Sequence, residues 1–396
     1  MKSKILKENL LFFILLALYS GALFYLFYQQ CIQIDTGSYF SDMKAYLLEI
    51  TGQSSGYAFP YPIFFGLSKL MSALLPLPIA VSLVLSLLNG LSVVVTYQYF
   101  TESLPDNKKY HLISTIATFT VFLVSMMYFS FAGPATEGWG TRYLGVFSPN
   151  PYHNATYLAT RPFSILLILQ FVRVMKSYEA CKRRDIALLA LYLLLSALTK
   201  PSFVFVFAPI MTIAVLTKWI CKKFRLGKVD VAIVLSALPT IVVLLCQFVL
   251  VFQQGSGGAL RIGLGKGWHI WTPGIKTSLF LAGMFPLFFL CFHMKQLKEN
   301  LLFRYSWASY LVGIASFFLF YEDGFRIWDA NFAWGYMHGL FFVFYSSVLI
   351  LVQEFIAGRR KTKWYNRIAA ALLGWHLVCG CYFFGYMLMG GSASLF

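Results

Sequence analysis

The sequence predicts an all-α protein that crosses a membrane many times, on three observations. Of its 396 residues, 59% are hydrophobic and only 12% are charged, whereas soluble domains are about 45–50% apolar and about 25% charged. Apolar runs close to the roughly 20 residues that a membrane helix needs recur along the whole chain. Basic residues fall in short clusters between these runs, a pattern typical of polytopic membrane proteins.

We predict about eleven transmembrane helices, which form a single transmembrane domain over residues 1–396. The predicted spans cover residues 10–29, 78–100, 111–131, 154–176, 185–199, 201–220, 231–252, 275–293, 302–320, 332–355 and 367–389. The first span follows three lysines, as a signal peptide would, but it is long and lacks a small-x-small cleavage site. We therefore expect it to be retained.

The basic clusters set the predicted orientation. With a cytoplasmic N-terminus, the segments "RVMKSYEACKRRD", "KWICKKFRLGK" and "GRRKTKWYNR" all lie on the cytoplasmic side, as the positive-inside rule requires. Because the basic clusters are accounted for by the predicted topology, the net charge of +17 does not call for a nucleic-acid partner, and none is predicted. We expect a multi-pass protein of the plasma membrane in contact with the lipid bilayer, and the general pattern suggests a bacterial one.

Two interfacial helices are predicted in the first outer loop, residues 31–77. Between residues 38 and 50, one helical stripe is formed by Tyr39, Met43, Tyr46, Leu47 and Ile50. The later run "PYPIFFGLSKLMSALLP" is bounded by prolines and too short to span, and its apolar residues also follow helical spacing. Both helices are expected to lie on the membrane surface.

Nearly half of the 15 acidic residues fall in a few predicted outer segments, where few are needed for solubility, so we expect the functional face there. The acids predicted to lie outside are Asp35, Asp42, Glu49, Glu137, Glu322, Asp323 and Asp329. The outer loops 253–274 and 321–331 are expected to pack with the first loop over an active-site cavity.

Asp42 is the first candidate for chemistry. It lies off the apolar stripe of the first interfacial helix, so its carboxylate is expected just outside the membrane, facing polar space. A carboxylate held there can accept a proton from an attacking hydroxyl. The alternative is a charge that only solvates the helix, with Asp35 serving as a cap or turn residue.

Two cations are predicted beside the membrane surface. Arg161 lies about one and a half turns inside the span that follows His153, and an arginine at that depth faces a cavity, an anionic partner or, by snorkelling, the interface. Lys200 joins two spans in "LTKPSF". Because Pro201 starts the next helix, Lys200 is suited to hold a phosphate near a helix N-terminus, with snorkelling again the alternative.

The last two outer loops supply the remaining binding candidates. The glycine-rich loop contains Arg261, Lys266 and His269 and is either a basic lid over an anionic ligand or an ordinary flexible loop. The segment "YEDGFRIWDANFAWGYMHG" contains Glu322, Arg326, Asn331 and Trp334. Arginine offers a planar fork for phosphate oxygens, and the aromatic rings offer a face for a sugar or lipid, although Trp also populates membrane interfaces for no catalytic reason.

Taken together, these features resemble the C-type glycosyltransferase superfamily, polytopic enzymes that use lipid-linked sugar donors. The likeness is carried by the acidic first outer loop with two surface helices, by "YPIFFGLSKLM" followed by a true span, and by "LTKPSF" and "EDGFRIWDANFAWG". A soluble C-terminal domain, in which larger members of the superfamily differ, is not expected from this sequence, and recognition of the acceptor is left unexplained.

The resemblance implies roles for these residues. Asp42 would be the catalytic base, with Asp35 the second candidate, in an inverting-type transfer from a polyprenyl-phosphate sugar to an acceptor hydroxyl. Lys200, Arg326 and Arg161 would neutralise the departing phosphate. Some members need a divalent ion such as Mg²⁺ or Mn²⁺, for which Asp35, Asp42 and Glu322 are the oxygen ligands available. The acceptor would be a glycan, a glycolipid or a protein.

Two other functions fit the same composition. A membrane O-acyltransferase of cell-surface glycans would use His153 or His338 as its base and would be indifferent to Asp42. A transporter of lipid-linked glycans would show paired broken helices and charges near the bilayer midplane. His376, which lies mid-span among apolar residues, is predicted to be a packed or hydrogen-bonded core residue.

Overall fold

The computed structural model describes residues 2–104, 110–128, 147–252, 259–272, 274–358 and 363–391. Over these residues the prediction of an all-α membrane protein is confirmed. The helices are α1 Lys2–Ile32, α2 Met43–Ile50, α3 Pro62–Ser72, α4 Leu77–Ser103, α5 Tyr110–Leu123, α6 Ala155–Lys176, α7 Arg183–Thr199, α8 Ser202–Cys221, α9 Lys228–Phe252, α10 Lys266–His269, α11 Ile275–Phe292, α12 Gln296–Glu299, α13 Leu301–Leu319, α14 Ala333–Ala357 and α15 Trp364–Leu388.

Eight helical segments in the described part of the chain are long and apolar enough to cross a membrane. They are Asn9–Ile32, Leu77–Ser103, Ala155–Lys176, Ser202–Cys221, Lys228–Val251, Ile275–Phe292, Arg326–Ala357 and Trp364–Leu388. The chain is therefore a multi-pass membrane protein. Helices α5, α7 and α13 coincide with the other three predicted spans but do not meet the same criteria of length and composition. The count of eleven stays a prediction.

The third predicted span, residues 111–131, is a shorter helix than expected. Helix α5 ends at Leu123 and the chain continues without helical structure to Tyr128, while residues 129–131 lie outside the described residues. Fourteen residues of α-helix are only about 21 Å long. Hydropathy detects the apolar run, but it does not report that the backbone leaves the helix within that run.

The non-helical backbone after α5 is hydrogen-bonded by neighbouring elements, as buried backbone in a membrane protein must be. His376 of α15 contacts the carbonyl of Ser125 through Nδ1 at 2.7 Å. Its Nε2 accepts a hydrogen bond from the backbone N–H of Phe285 at 3.2 Å, which lies just after a kink of α11 at Gly283. Gly380 lies so close to the carbonyl of Leu123 that a Cβ would be 1.7 Å from its oxygen. His376 is thus a hydrogen-bonded core residue, as predicted.

Replacing His376 by Leu is expected to destabilise the protein. The leucine would leave the Ser125 carbonyl and the Phe285 N–H without partners inside the bundle, at about 1–3 kcal/mol for each buried group. Thermal unfolding in detergent should show a lower midpoint for His376→Leu, whereas Cys381→Ala, an exposed change on the same helix, should not shift it. Equal midpoints for His376→Leu and wild type would contradict this role.

The two helices predicted in the first loop are both present, as α2 and α3. Helix α2 buries Met43, Tyr46 and Ile50, which belong to the predicted stripe. Helix α3 has 11 residues, too few to span, and buries Phe64 and Phe65. Its residue Leu70 stays exposed, which leaves an apolar surface of the kind that an interfacial helix presents to lipid.

Helix α14 lies in the centre of the bundle and packs tightly against α13. A Cβ on Gly313 of α13 would lie 2.6 Å from the Cα of Tyr336, and one on Gly339 of α14 would lie 2.5 Å from the Cα of Tyr310. Small residues at such contacts let two membrane helices approach closely. This close packing fixes the start of α14, where Trp334 lies.

Two short strands connect the last loops. Strand β1 (Leu260–Ile262) pairs antiparallel with β2 (Phe320–Glu322), with Leu260 opposite Glu322. A 3₁₀ turn at Gly324–Asp329 follows β2 and leads to α14. The predicted loops 253–274 and 321–331 are therefore joined by backbone hydrogen bonds, although residues 253–258 and 273 lie outside the described residues.

Candidate functional site

A cavity of about 590 Å³ gathers the first loop, the residues around the start of α6, the α7–α8 junction and the turn before α14. Its lining includes seven of the predicted site residues: Asp35, Asp42, His153, Lys200, Arg326, Asn331 and Trp334. These residues are far apart in sequence. The cavity also has aromatic walls, and cavities of this size with a few convergent polar groups are typical of ligand-binding sites.

Asp42 is held by donors from two directions. Its Oδ2 accepts hydrogen bonds from the Asn154 side-chain amide and from the Tyr46 hydroxyl at 3.3 Å. Its backbone N–H donates to the carbonyl of His153 at 3.3 Å. Asp42 occupies the N-cap position of α2, but its side chain makes no capping hydrogen bond there, so the carboxylate is directed to the cluster around Asn154.

Asn154 links Asp42 to Lys200 with a single amide. Its Nδ2 donates to the Asp42 carboxylate, while its Oδ1 accepts from the Lys200 Nζ at 3.2 Å. The same Oδ1 accepts from the backbone N–H of Tyr157 at 2.8 Å and so caps α6. Because a helix cap fixes the amide, the positions of the carboxylate and the ammonium are set relative to each other.

Lys200 is a buried cation. Its side chain donates to the Thr156 hydroxyl at 2.9 Å as well as to Asn154, and its Nζ lies 4.5 Å from the centre of the Trp334 ring. In the described part of the chain it forms no salt bridge with a carboxylate. Burial lowers the pKa of Lys200 to about 8, against the opposing influence of Asp42 and Asp329. An anionic ligand in the cavity would meet a charge that is not yet neutralised.

His153 lies beside this cluster as a neutral group. It is buried, and its ring centroid is 5.6 Å from that of Trp334. Burial lowers the pKa of His153 to about 4, with Asp42 raising it and Lys200 lowering it. At neutral pH the imidazole is uncharged and a weak base.

Arg326 is oriented by a buried acid. Its Nε donates to Glu322 at 2.7 Å, and Asn331 donates to the same Glu322 oxygen at 2.8 Å. Glu322 itself is not among the residues that line the cavity, whereas Arg326 and Asn331 are. The structure therefore places Glu322 behind the wall, where it holds the two residues that face the ligand space.

Removing the Glu322 carboxylate is expected to cost stability. Glu322→Ala would leave the buried Arg326 without its closest counter-ion, and breaking a buried pair in this way costs about 3–5 kcal/mol. Unfolding in detergent should show this loss. Asp323→Ala removes the neighbouring acid, which pairs with Arg261 on the surface at 2.8 Å, and should cost much less because water screens that pair. A larger loss for Asp323→Ala would contradict the assignment.

Asp35 differs from Asp42 in its surroundings. It also lines the cavity, but its carboxylate forms an ion pair with Lys44 at 2.7 Å, and both side chains are exposed. Lys44 therefore neutralises the charge of Asp35, and solvent reaches both side chains. Asp35 stays a candidate base with weaker support than Asp42.

Besides Glu322, four of the predicted binding residues do not line the cavity. Arg161 is fully buried and points inward, with its guanidinium 4.8 Å from the Phe341 ring and Nη2 donating to the Pro149 carbonyl at 3.1 Å, so it does not snorkel to the interface. Arg261 is bound to Asp323. Lys266 and His269 lie in α10, beside the β1–β2 pair rather than over the cavity lining.

Several residues of the site escaped the prediction from sequence. Tyr46 was assigned only to the apolar stripe, yet its hydroxyl reaches Asp42. Asn154 and Thr156 belong to "NAT" at the start of α6, and the N-cap preference for Asn was the one signal that could have drawn attention to Asn154. Asp329 lines the cavity, but no spacing in the sequence separates it from the other outer acids.

The three oxygen ligands suggested for a divalent ion are engaged separately. Asp35 pairs with Lys44, Asp42 with Asn154, and Glu322 with Arg326. Among the described residues, no three side chains of His, Cys, Asp or Glu group closely enough to hold a metal ion. These three acids do not form a common ion site in this arrangement.

Comparison of the chain with protein-family models, with curated proteins and with solved structures gives no match.

Proposed function

We propose that the protein transfers a sugar from a polyprenyl-phosphate donor to an acceptor hydroxyl in this cavity. The observation that supports the proposal is the amide of Asn154, which joins the Asp42 carboxylate to the buried ammonium of Lys200. Transfer of a glycosyl group from a phosphate needs these two charges close together: an anion to accept a proton and a cation to take the charge of the leaving group.

In the proposed reaction, Asp42 has a different role from Lys200 and Arg326. Asp42 accepts the proton of the acceptor hydroxyl as its oxygen bonds to the anomeric carbon. The bond from that carbon to the phosphate oxygen breaks, and its electron pair leaves with the lipid phosphate. Lys200 and Arg326, which both line the cavity, neutralise the phosphate. Attack opposite the leaving group inverts the anomeric centre.

A lipid-linked donor fits the position of the cavity. The residues that line the cavity come from loops and helix ends adjoining the apolar bundle. The donor phosphate can therefore lie in the cavity while the polyprenyl chain stays in lipid. We place this end of the bundle on the outer face of the plasma membrane, because the basic clusters predict the opposite end to be cytoplasmic. The acceptor would reach Asp42 from the aqueous side.

Acyl transfer is the alternative that a specific observation favours, since His153 lines the cavity. Its pKa of about 4 argues against it as a general base at neutral pH, because an efficient base has a pKa near the working pH. His338 is not among the lining residues and is fully buried. Both histidines therefore suit packing better than proton transfer.

The proposal is tested by incubating purified protein with a panel of radiolabelled polyprenyl-phosphate sugars and measuring release of the polyprenyl phosphate. Turnover of one donor, to water or to an added acceptor, supports glycosyl transfer. Binding without turnover of any donor would support a transport role instead. Failure to bind any donor, together with acyl transfer from an activated acyl ester, would replace the proposal with the acyltransferase function.

A further inference from the structure

The turn before α14 presents an aromatic ring and a carboxylate at the entrance of the cavity. Trp328 is 62% exposed and lines the cavity together with its neighbour Asp329. Both belong to the 3₁₀ turn Gly324–Asp329. Trp328 contrasts with Trp334, which is buried further in beneath the ammonium of Lys200.

The turn is anchored by hydrogen bonds to a buried acid although Trp328 is exposed. Arg326, two residues before Trp328, is bound to the buried Glu322 at 2.7 Å, and Asn331 is bound to the same carboxylate. Trp271 contacts Trp328 with ring centroids 6.1 Å apart and planes at 88°. This edge-to-face contact fixes the indole but leaves most of its surface to solvent.

Asp329 has acceptor capacity next to this ring. Its nearest cation is Arg326, at 3.8 Å between Nε and Oδ2, which is too long for a hydrogen bond. Tyr57 of the first loop donates a hydrogen bond to it. The side chain is 21% exposed, so the carboxylate retains lone pairs for a ligand in the cavity.

We propose that Trp328 and Asp329 form a subsite for a sugar ring of the acceptor, so that the acceptor is a glycan. A pyranose ring has an apolar C–H face that can lie on an indole and hydroxyl groups on its edge that can donate to a carboxylate. A purely apolar acceptor would bury the remaining lone pairs of the Asp329 carboxylate without a donor, and an anionic acceptor would be repelled by its charge. The inference rests on the proposed function.

The difference in exposure between Lys200 and Trp328 assigns this ring to the acceptor rather than the donor. The donor phosphate is drawn to Lys200, which is only 7% exposed, and Asp42 lies next to it through Asn154. The exposed Trp328 lies at the open end. A glycan that places its hydroxyl at Asp42 would leave its next ring at the entrance, where Trp328 is available.

The test compares Trp328→Ala, Trp328→Phe and Asp329→Asn with wild type. The control is Trp364→Ala, because Trp364 is 61% exposed and begins α15, outside the cavity lining. The probes are maltotriose, cellotriose, mannotriose and chitotriose, measured as acceptors with the donor that is turned over and as ligands by saturation-transfer NMR.

For one of these trisaccharides, Trp328→Ala is expected to raise the acceptor KM and the Kd about tenfold, which corresponds to about 1.4 kcal/mol. Trp328→Phe should have a smaller effect, Asp329→Asn one of similar size, and Trp364→Ala none. The donor KM should change less than the acceptor KM. A donor KM that rises equally would assign the ring to the donor sugar and overturn the proposal.

Two further outcomes separate this inference from the proposed function. If wild type turns over a donor but no trisaccharide binds, or if binding is indifferent to Trp328, the glycan subsite is wrong and glycosyl transfer stands. If a trisaccharide binds through Trp328 while no donor is turned over, the subsite stands as a sugar-binding site and the proposed reaction fails.

Discussion

Replacing Asp42 by Asn is expected to lower turnover of the donor about a thousandfold while leaving donor binding within a few-fold of wild type. A general base contributes about 10²–10⁴ to the rate, and the amide cannot accept the acceptor proton. The change retains the shape of the side chain and an oxygen that can still accept from Asn154 and Tyr46. The measurement is turnover number and donor Kd for both proteins.

Asp42→Asn is not expected to destabilise the protein, so a loss of turnover would report on the reaction itself. Although Asp42 is the N-cap residue of α2, its side chain makes no capping hydrogen bond, so Asp42→Asn removes no cap. Glu49→Gln is the matched control, because Glu49 is an acid of the same helix that does not line the cavity. It should turn over the donor at the wild-type rate.

The competing base can be identified in the same assay. If Asp42→Asn retains wild-type turnover and Asp35→Asn loses it, the proton acceptor is Asp35, despite its exposed pairing with Lys44. If both variants retain turnover, neither first-loop aspartate is the base. That outcome would remove the main support for the resemblance to lipid-dependent glycosyltransferases.

The sequence predicts helices well here because hydropathy reports burial in lipid, which acts over 20 residues at a time. It fails where the backbone needs a local partner. The end of α5 at Leu123 depends on His376 and on the close approach of Gly380, more than 250 residues away. No pattern within residues 111–131 encodes these contacts.

The residues of the candidate site also fall into those that the sequence reveals and those that it does not. Asp42, Lys200 and Arg326 could be predicted, because a charge beside an apolar span is costly and therefore conspicuous. Asn154, Tyr46 and Asp329 could not. A neutral amide that caps a helix, a tyrosine in an apolar stripe and one acid among several have many ordinary explanations, and only the folded chain shows that they face one cavity.

Charge alone also put forward residues that do not line the cavity. Arg261, Lys266 and His269 have the composition of a phosphate-binding loop, but Arg261 is already paired with Asp323 and Lys266 lies over the Tyr321 ring at 5.4 Å. Arg161 is an intramembrane cation, and aromatic rings rather than a ligand space surround it. Whether a cation can serve a ligand depends on which partners it already has.

Lys200 is expected to dominate binding of the lipid phosphate. Lys200→Gln would remove the buried ammonium while keeping a donor for Asn154 and Thr156. The bound phosphate would then lose its charged partner, and losing one partner of a buried charge pair costs about 2–5 kcal/mol. We expect the Kd of polyprenyl phosphate to rise about a hundredfold, measured by titration in nanodiscs. The control is Lys44→Gln, because the ammonium of Lys44 is exposed and paired with Asp35. For this variant the Kd of polyprenyl phosphate should rise less than threefold.

The pH dependence tests the same cation without removing it. Since the pKa of Lys200 is lowered to about 8, its charged form prevails at pH 7 and is lost as the pH rises through 8. Between pH 7.5 and 9.5 the phosphate monoester is already fully ionised, because its second pKa is about 6, so weaker binding in this range reports loss of the lysine proton. The Kd should therefore rise with pH in wild type. In Lys200→Arg it should stay flat, because arginine keeps its charge. A wild-type Kd that does not change over this range, or an equal rise in Lys200→Arg, would show that Lys200 does not bind the phosphate.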